Sequence, residues 1–298
     1  MTGTPSGPPG GGTLSVVLSL LAADTPQQIM NAPQDWPRWA ALLPHVLAAA
    51  GHFDNLPHNA QHPGADDASW LLDRAATYLQ VHAQFSEARP LAERALAIAE
   101  AAHGPDHRTT AVHLNDLALL LYEMGRSAEA RPLAERALAI GEASYGPDHP
   151  TVAIRLGNLA LILRGLGQPA EARPLAERAL AIDEASYGPN HPSVAINLCN
   201  LANIVSALRQ PAEARPLVER ALTIIEANYG PDHPDVATAL SSLVGILRTL
   251  GHLGEARPLA ERALTIAEAT YDPDHPYVAL HRRNLAAIVY DLRQPGPG

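Results

Sequence analysis

The sequence predicts an all-α fold, an α-solenoid of five stacked helix pairs closed by a sixth first helix. Three observations carry that prediction. The stretch EARPLAERALAI at Glu129–Ile140 recurs, with small changes, at Glu87–Ile98, Glu171–Ile182, Glu213–Ile224 and Glu255–Ile266, always 42 residues on and without insertion or deletion. A fixed period in this range marks a stacked repeat array. Within each unit the apolar residues fall at helical spacing, as in Leu114, Leu117, Ala118 and Leu121 and then Leu133, Ala134, Ala137, Leu138 and Ile140. The pairs are punctuated by a Pro-rich connector: YGPDHP at 145–150 returns as HGPDHR at 103–108, YGPNHP at 187–192, YGPDHP at 229–234 and YDPDHP at 271–276.

Residues 1–24 read as a Pro/Gly/Ser/Thr-rich tail through Gly12 and a short apolar helix over Thr13–Ala23. Residues 25–65 read as a capping helix and a linker. The helix is expected over Trp36–Ala50, with Trp39, Leu42, Leu43, Val46 and Leu47 on one face, a bend at Pro44, and Gly51 past its end. Trp36, Trp39 and Trp70 are expected in the core where it caps the first repeat. Gly51–Ala65 carries Pro57, Pro63 and Gly64 and reads as the linker.

The array is expected over 66–293, with units starting near 66, 108, 150, 192 and 234 and a cap helix at 275–293, before a tail at 294–298. In each unit a Gly such as Gly125 ends the first helix and Ser127 is placed to cap the second. Pro132 lies in the second helix's opening turns, Gly146 stops that helix, Asp148 caps the next one and Pro150 enters its first turn. Arg131 and Glu135 form an i, i+4 pair worth a few tenths of a kcal/mol. Ala118, Ala130 and Ala137 let neighbouring helices approach closely. A single pair of about 40 residues is near the lower limit for independent folding, so stacking is obligatory. Leu114, Leu156, Leu198 and Leu240 share one position, and the last copy has Arg282 there, as the polar outer face of an end cap requires.

Composition removes several function classes. Formal charge is −10, which leaves no spare cations for a nucleic-acid partner. The single Cys199 excludes a disulfide framework and a Cys-based zinc site and points to a reducing cytoplasm. No apolar run reaches the roughly 20 residues of a membrane span. All 21 basic residues are Arg; without lysine there is no P-loop, protein kinase or Schiff-base chemistry. Arg for Lys with abundant Ala, Pro and Gly is the composition of a GC-rich bacterial genome. His107, His149, His191, His233 and His275 occupy one connector position about a helix diameter apart, too far to share a metal, and are expected to hydrogen-bond at helix starts. A looser cluster, His52, His58 and His62 with Asp66 and Asp67, has prolines that forbid a helical ligand pair. The chain contains no catalytic motif, so no catalytic residue and no cofactor are assigned. Cys199 reads as a small filler.

The pattern L-x-N-L-A…G-x-x-x-EA…L-x-x-RAL-x-I-x-E…G-x-DHP over Asp66–Arg293, with turn glycines at 125, 167 and 251, resembles the tetratricopeptide repeat in its 42-residue, kinesin-light-chain-like form. The resemblance implies a right-handed superhelix whose first helices line a concave surface. The segment DWPRWAALLPHVLAA at 35–49 is similar to the joint before the repeats in bacterial signal-transduction ATPases of the NB-ARC (STAND) class. That likeness implies, as an alternative, a detached sensor arm acting on a signalling ATPase in trans or persisting as a remnant.

On the expected concave face a polar row runs Arg74, Asp116, Asn158, Asn200, Ser242, Asn284. Beside it run Asp73, Asn115, Gly157, Cys199, Ser241, Arg283 and, one turn on, Tyr122, Arg164, Ser206, Arg248, Tyr290. Amides offer a donor and an acceptor together and can pair with the backbone of an extended peptide; Asn203 belongs to the same face. The kinesin light chain resemblance implies this use of the asparagines. The candidate groove is therefore Asn115, Tyr122, Asn158, Arg164, Asn200, Asn203, Arg248, Arg283, Asn284 and Tyr290, with apolar contacts from Val112, Ile154, Leu161 and Ile196. Tyr122 and Tyr290 read equally as anchors or as packing. The first helices and their ends also carry Arg155, Arg209, Arg282 and Arg293, so the expected partner is a protein or peptide with acidic side chains or a terminal carboxylate.

Overall fold

The computed structural model describes residues 11–26, 29–30, 32–56 and 61–293; the expected tails before residue 11 and after residue 293, and His58, lie outside the described residues. It is all-α among those residues, with helices in consecutive pairs. The chain divides into two compact units, Met1–Met124 and Gly125–Gly298.

The first unit holds α1 (Gly11–Asp24), a 3-10 turn at Pro33–Asp35, α2 (Trp36–Asp54), α3 (Ala65–Val81), α4 (Phe85–His103) and α5 (Arg108–Glu123). Trp39 is fully buried, stacks on Tyr78 with ring centroids 6.1 Å apart, and donates Nε1–H to the Pro26 carbonyl. Trp36 meets His82 edge-on at 4.9 Å. Thus α2 packs on α3 as expected, although Trp36 and Trp70 are only half-buried. The end of α2 differs from expectation. Its buried face is Trp39, Leu42, Val46, Ala49, Ala50 and Phe53. That stripe continues through Gly51 to an aromatic anchor, which outweighs one poor helix former. Asn55 closes the helix instead, donating Nδ2–H to the Gly51 carbonyl at 2.8 Å. The same register leaves Leu47 exposed and Leu43 half-buried.

The second unit holds α6 (Ser127–Tyr145), α7 (Pro150–Gly165), α8 (Pro169–Tyr187), α9 (Pro192–Ala207), α10 (Pro211–Tyr229), α11 (Pro234–Thr249), α12 (Leu253–Thr270) and α13 (Pro276–Arg293). The first helices α7, α9 and α11 each pack on their own second helix and on the one before it, and α13 packs on α12. Leu198 and Leu240 have no exposed surface and share a cluster with Ile224 and Ala263 from successive second helices. A buried first-helix position makes the contact across each repeat boundary, and its partners are matched in size. Arg155 lies over Gly141, where an added Cβ would stand 2.8 Å from its Nη1 and 3.1 Å from its Cδ. Asn197 donates to Asp183 Oδ2 at 2.8 Å. Ala239 meets Ile225 within one apolar cluster. Arg155 is 3% exposed with its guanidinium 6.0 Å from the Tyr145 ring centre, so it faces the core and not the expected groove.

The connectors correct the expected caps. His149, not Asp148, is the N-cap of α7: its Nδ1 accepts the Thr151 backbone N–H at 3.1 Å. Pro150 must occupy the first helical position, which leaves residue 149 as cap. The same bond recurs at His107, His191, His233 and His275, at 3.2 to 3.3 Å. Each imidazole also stacks on the aromatic ring four residues earlier, with centroids 4.4 to 4.9 Å apart. Ser127 does not cap α6. It is the first helical residue and is buried, and Arg126 holds the cap position with its side chain turned to Glu129 and not capping the helix.

After the first helices a left-handed residue lets the chain reach back five residues. At Gly167 (φ +74) the Gln168 N–H donates to the Leu163 carbonyl at 2.9 Å. The equivalent turns place Ala83 (φ 56) and Arg209 (φ 65) in that conformation, with return bonds from Gln84 and Gln210 of 2.8 and 3.2 Å. In the last connector Asp272 replaces the glycine that ends α10 at φ 87, ψ 166, a region nearly closed to other residues. There α12 stops at 18 residues, one fewer than the 19 of α10, with Tyr271 extended as its cap.

Two consequences are measurable by chemical denaturation. Removing a cap costs about 0.5–2 kcal/mol, so His191→Ala lowers stability within that range, while His191→Asn, itself a good cap, recovers most of it. A non-glycine residue in the left-handed region costs roughly 1–2 kcal/mol, against about 0.4–1 kcal/mol for glycine's extra freedom when unfolded. Arg209→Gly and Ala83→Gly therefore stabilise by up to about 1 kcal/mol, and Gly167→Ala destabilises.

Candidate functional site

In the second unit α7, α9 and α11 each touch the next first helix directly. The second helices are tied instead by long side chains: Arg173 to Glu213 at 2.7 Å, Arg215 to Glu255 at 2.9 Å, Arg220 to Glu184 at 2.7 Å and Arg262 to Glu226 at 2.7 Å. Closer approach on the first-helix side makes that side the inner one. It follows from small residues: Gly157 brings α7 so near α9 that an added Cβ would lie 3.2 Å from Asn197 Oδ1 and 3.8 Å from Asn200 Nδ2.

On this inner side Asn158, Asn200, Ser242 and Asn284 are all half-buried. Neighbouring helices are linked through their polar groups. Asn203 donates Nδ2–H to Ser242 Oγ at 3.2 Å, and Asn284 donates Nδ2–H to Ser241 Oγ at 3.3 Å. Ile154 and Ile196, each 58% exposed, stand one turn before the amides, and Leu161 is half-buried one turn after. Arg164 is half-buried. Arg248 and Arg283 are exposed, and Arg248 Nε–H donates to Asp291 Oδ2 at 2.5 Å. Tyr290 is exposed at the C-terminal end. The other expected arginines are elsewhere: Arg209 in a turn, Arg282 paired with Glu268 of α12 at 2.8 Å, and Arg293 at the end of α13.

In the first unit the same rows carry a different chemistry. Arg74 Nη2 donates to Asp73 Oδ2 at 2.6 Å and to Asp116 Oδ2 at 3.2 Å. Asn115 is buried and donates to Asp116 Oδ1 at 3.1 Å, while Tyr122 is half-buried and Val112 exposed. His113, also buried, holds Nδ1 3.3 Å from Asp73 Oδ1. Burial opposes the Asp73 charge, but His113 and Arg74 outweigh it and hold the carboxyl below its ordinary value. For Asp116, burial first and the Asp73 charge second push the carboxyl up to about 7.

The sequence profile of the tetratricopeptide repeat matches residues 66–143, 113–185, 156–227, 198–269 and 235–296. The chain belongs to the tetratricopeptide repeat family. The match begins after residues 35–49, the segment that suggested a signalling ATPase. Among solved structures, a Podosopora anserina kinesin light chain array of nearly identical TPR-like repeats is 27% identical, covering 66% of this chain and 95% of that one, with a TM-score of 0.53. BtubC (BKLC) from P. vanneervenii is 21% identical over 88% of this chain and 94% of its own, with a TM-score of 0.56. A Rap protein complexed with Competence and Sporulation Factor is 15% identical over 94% and 86%, with a TM-score of 0.61. These last two share the fold. The chain matches no curated protein by sequence.

Other features of this tetratricopeptide array are structural. The connector histidines each use Nδ1 at a helix start, and among the described residues no group of three His, Cys, Asp or Glu is placed to hold a metal. Burial pushes the Cys199 thiol up to about 12, so it stays protonated. No described helix is long and apolar enough to cross a membrane. Sequence reasoning missed that the row His113, Arg155, Asn197, Ala239 and His281 is buried in each of these copies. The 42-residue spacing was the signal that could have found it.

Asp116 yields a pH prediction. A carboxyl raised in the folded state contributes stability that is complete below its unfolded value near 4 and is lost as pH rises through about 7. Asp73, being lowered, acts only below that window. Denaturation of wild type against Asp116→Asn should show the variant's relative stability growing between pH 4 and pH 7; a pH-independent difference contradicts the assignment.

Proposed function

We propose that the protein is a non-enzymatic protein–protein interaction module whose second unit captures an extended, acidic segment of a partner along α7, α9, α11 and α13. The observation that carries this reading is the half-buried polar row of Asn158, Asn200, Ser242 and Asn284 on the inner side, flanked by exposed Ile154 and Ile196. Amides at this depth reach a backbone laid across them without selecting its side chains. Selection falls to Arg164, Arg248 and Arg283; the acids on α7, α9, α11 and α13 are Asp235 in the first turn of α11 and Asp291, which accepts from Arg248. Arginine pairs with carboxylates in a two-bond geometry, which supports an acidic or carboxylate-terminated partner.

Magnitudes set how the parts divide the work. At about 1 kcal/mol net per hydrogen bond, the three amides and the Ser242 hydroxyl of this row together give only millimolar affinity. The two isoleucines supply the apolar contact that a tighter complex requires. The Rap protein found with Competence and Sporulation Factor gives this fold a precedent for holding a second molecule.

The test is fluorescence anisotropy with labelled extended peptides of equal length and acidic, neutral or basic composition. Acidic peptides should bind best. Asn158→Ala, Asn200→Ala and Arg248→Ala combined should weaken binding at least about tenfold, the effect of about 1.4 kcal/mol, while the melting temperature stays unchanged. Equal binding of acidic and basic peptides, or binding retained in the triple variant, would overturn the reading.

A further inference from the structure

The first unit contains a pocket of about 150 Å³ on its own inner side, lined by Met30, Arg74, Thr77, Gln80, Asp116 and Leu119. Small-molecule sites usually measure about 300–1,000 Å³; this one has room for a single amino-acid side chain. Its lining is divided. Met30 and Leu119 form apolar walls, and Asp116, Arg74, Thr77 and Gln80 form the polar part. The charged groups around it are Asp73 and Arg74 on α3 and His113, Asp116 and Glu123 on α5, whose carboxyl accepts a hydrogen bond from the Gln80 side chain. Three carboxyl groups thus face one guanidinium and one imidazole.

The guanidinium is not shared evenly. Asp73 Oδ2 receives Arg74 Nη2–H at 2.6 Å and Nε–H at 3.2 Å, with His113 on its other oxygen; Asp116 receives a single longer contact at 3.2 Å. Asp116, not Asp73, lines the cavity. We propose that this pocket receives a basic side chain, arginine or lysine, from a protein partner, its methylene stem between Met30 and Leu119 and its cationic head on Asp116. Such side chains combine an apolar stem with a charged tip, matching the divided lining. A cation there would form a charge-assisted bond and relieve the repulsion from Asp73 that helps keep Asp116 up to about 7. The inference does not depend on the asparagine row of the second unit.

Methyl NMR of the full chain, following Met30 and Leu119, tests it with N-acetyl-arginine methylamide and N-acetyl-lysine methylamide, against the citrulline and glutamate analogues as neutral and anionic controls. At pH 8 the cations should shift both methyls saturably in the millimolar range, and the controls should not. Asp116→Asn should weaken the effect at least about tenfold, and Met30→Ala, at the exposed rim, should weaken it several-fold with the melting temperature retained. Lowering the pH from 8 to 5 should weaken cation binding as Asp116 takes up a proton. Equal shifts with citrulline, stronger shifts with the glutamate analogue, binding unchanged in Asp116→Asn, or no saturable shift with either cation would each overturn the proposal. A failure here leaves the peptide result in the second unit standing, and the reverse holds too.

Discussion

A pair of helices of about 40 residues cannot bury enough apolar surface to stand alone, and the face it shares with its neighbour decides almost everything else in this molecule. In the second unit α7, α9 and α11 are each clasped between two second helices, and the central leucine of each, Leu156, Leu198 or Leu240, has no exposed surface left. Because first helices approach each other closely while second helices are bridged by long Arg–Glu pairs, an inner side exists at all. The polar rows then gain their half-buried depth from that geometry and not from their own chemistry.

The period made the fold readable, since a repeat multiplies every weak local signal by the number of copies. Local choices were less legible where a general preference competes with a specific neighbour. Aspartate is a better cap than histidine on average, yet Pro150 fixes the helix start one residue too late for Asp148. Gly51 reads as a stop, but Phe53 two residues on has a place in the core. Ser127 looks like a cap, and its hydroxyl is one position inside the helix.

For the inner face, spacing gave the rows but not the depth of each residue. Asn115 and Asn158 look equivalent in the sequence, one position apart in register. The first is buried and committed to Asp116, while the second is half-buried on the inner row. The pocket beside Asp116 was invisible for a further reason. One wall is Met30, which comes from the non-repeating segment before α2, and no periodicity places such a residue. Arg155 was misplaced because its charge argues for solvent, whereas Gly141 opposite it leaves a cleft large enough for the guanidinium.

The matched contacts across the repeat boundaries have an evolutionary consequence. Gly141 admits Arg155, Asp183 answers Asn197, and Ile225 shares an apolar cluster with the small Ala239. A unit copied by unequal recombination into another slot would set Arg155 against an isoleucine or strand Asp183 opposite an alanine. Although the repeats look interchangeable on paper, each carries an address, and the order in which they stand is written into the seams between them.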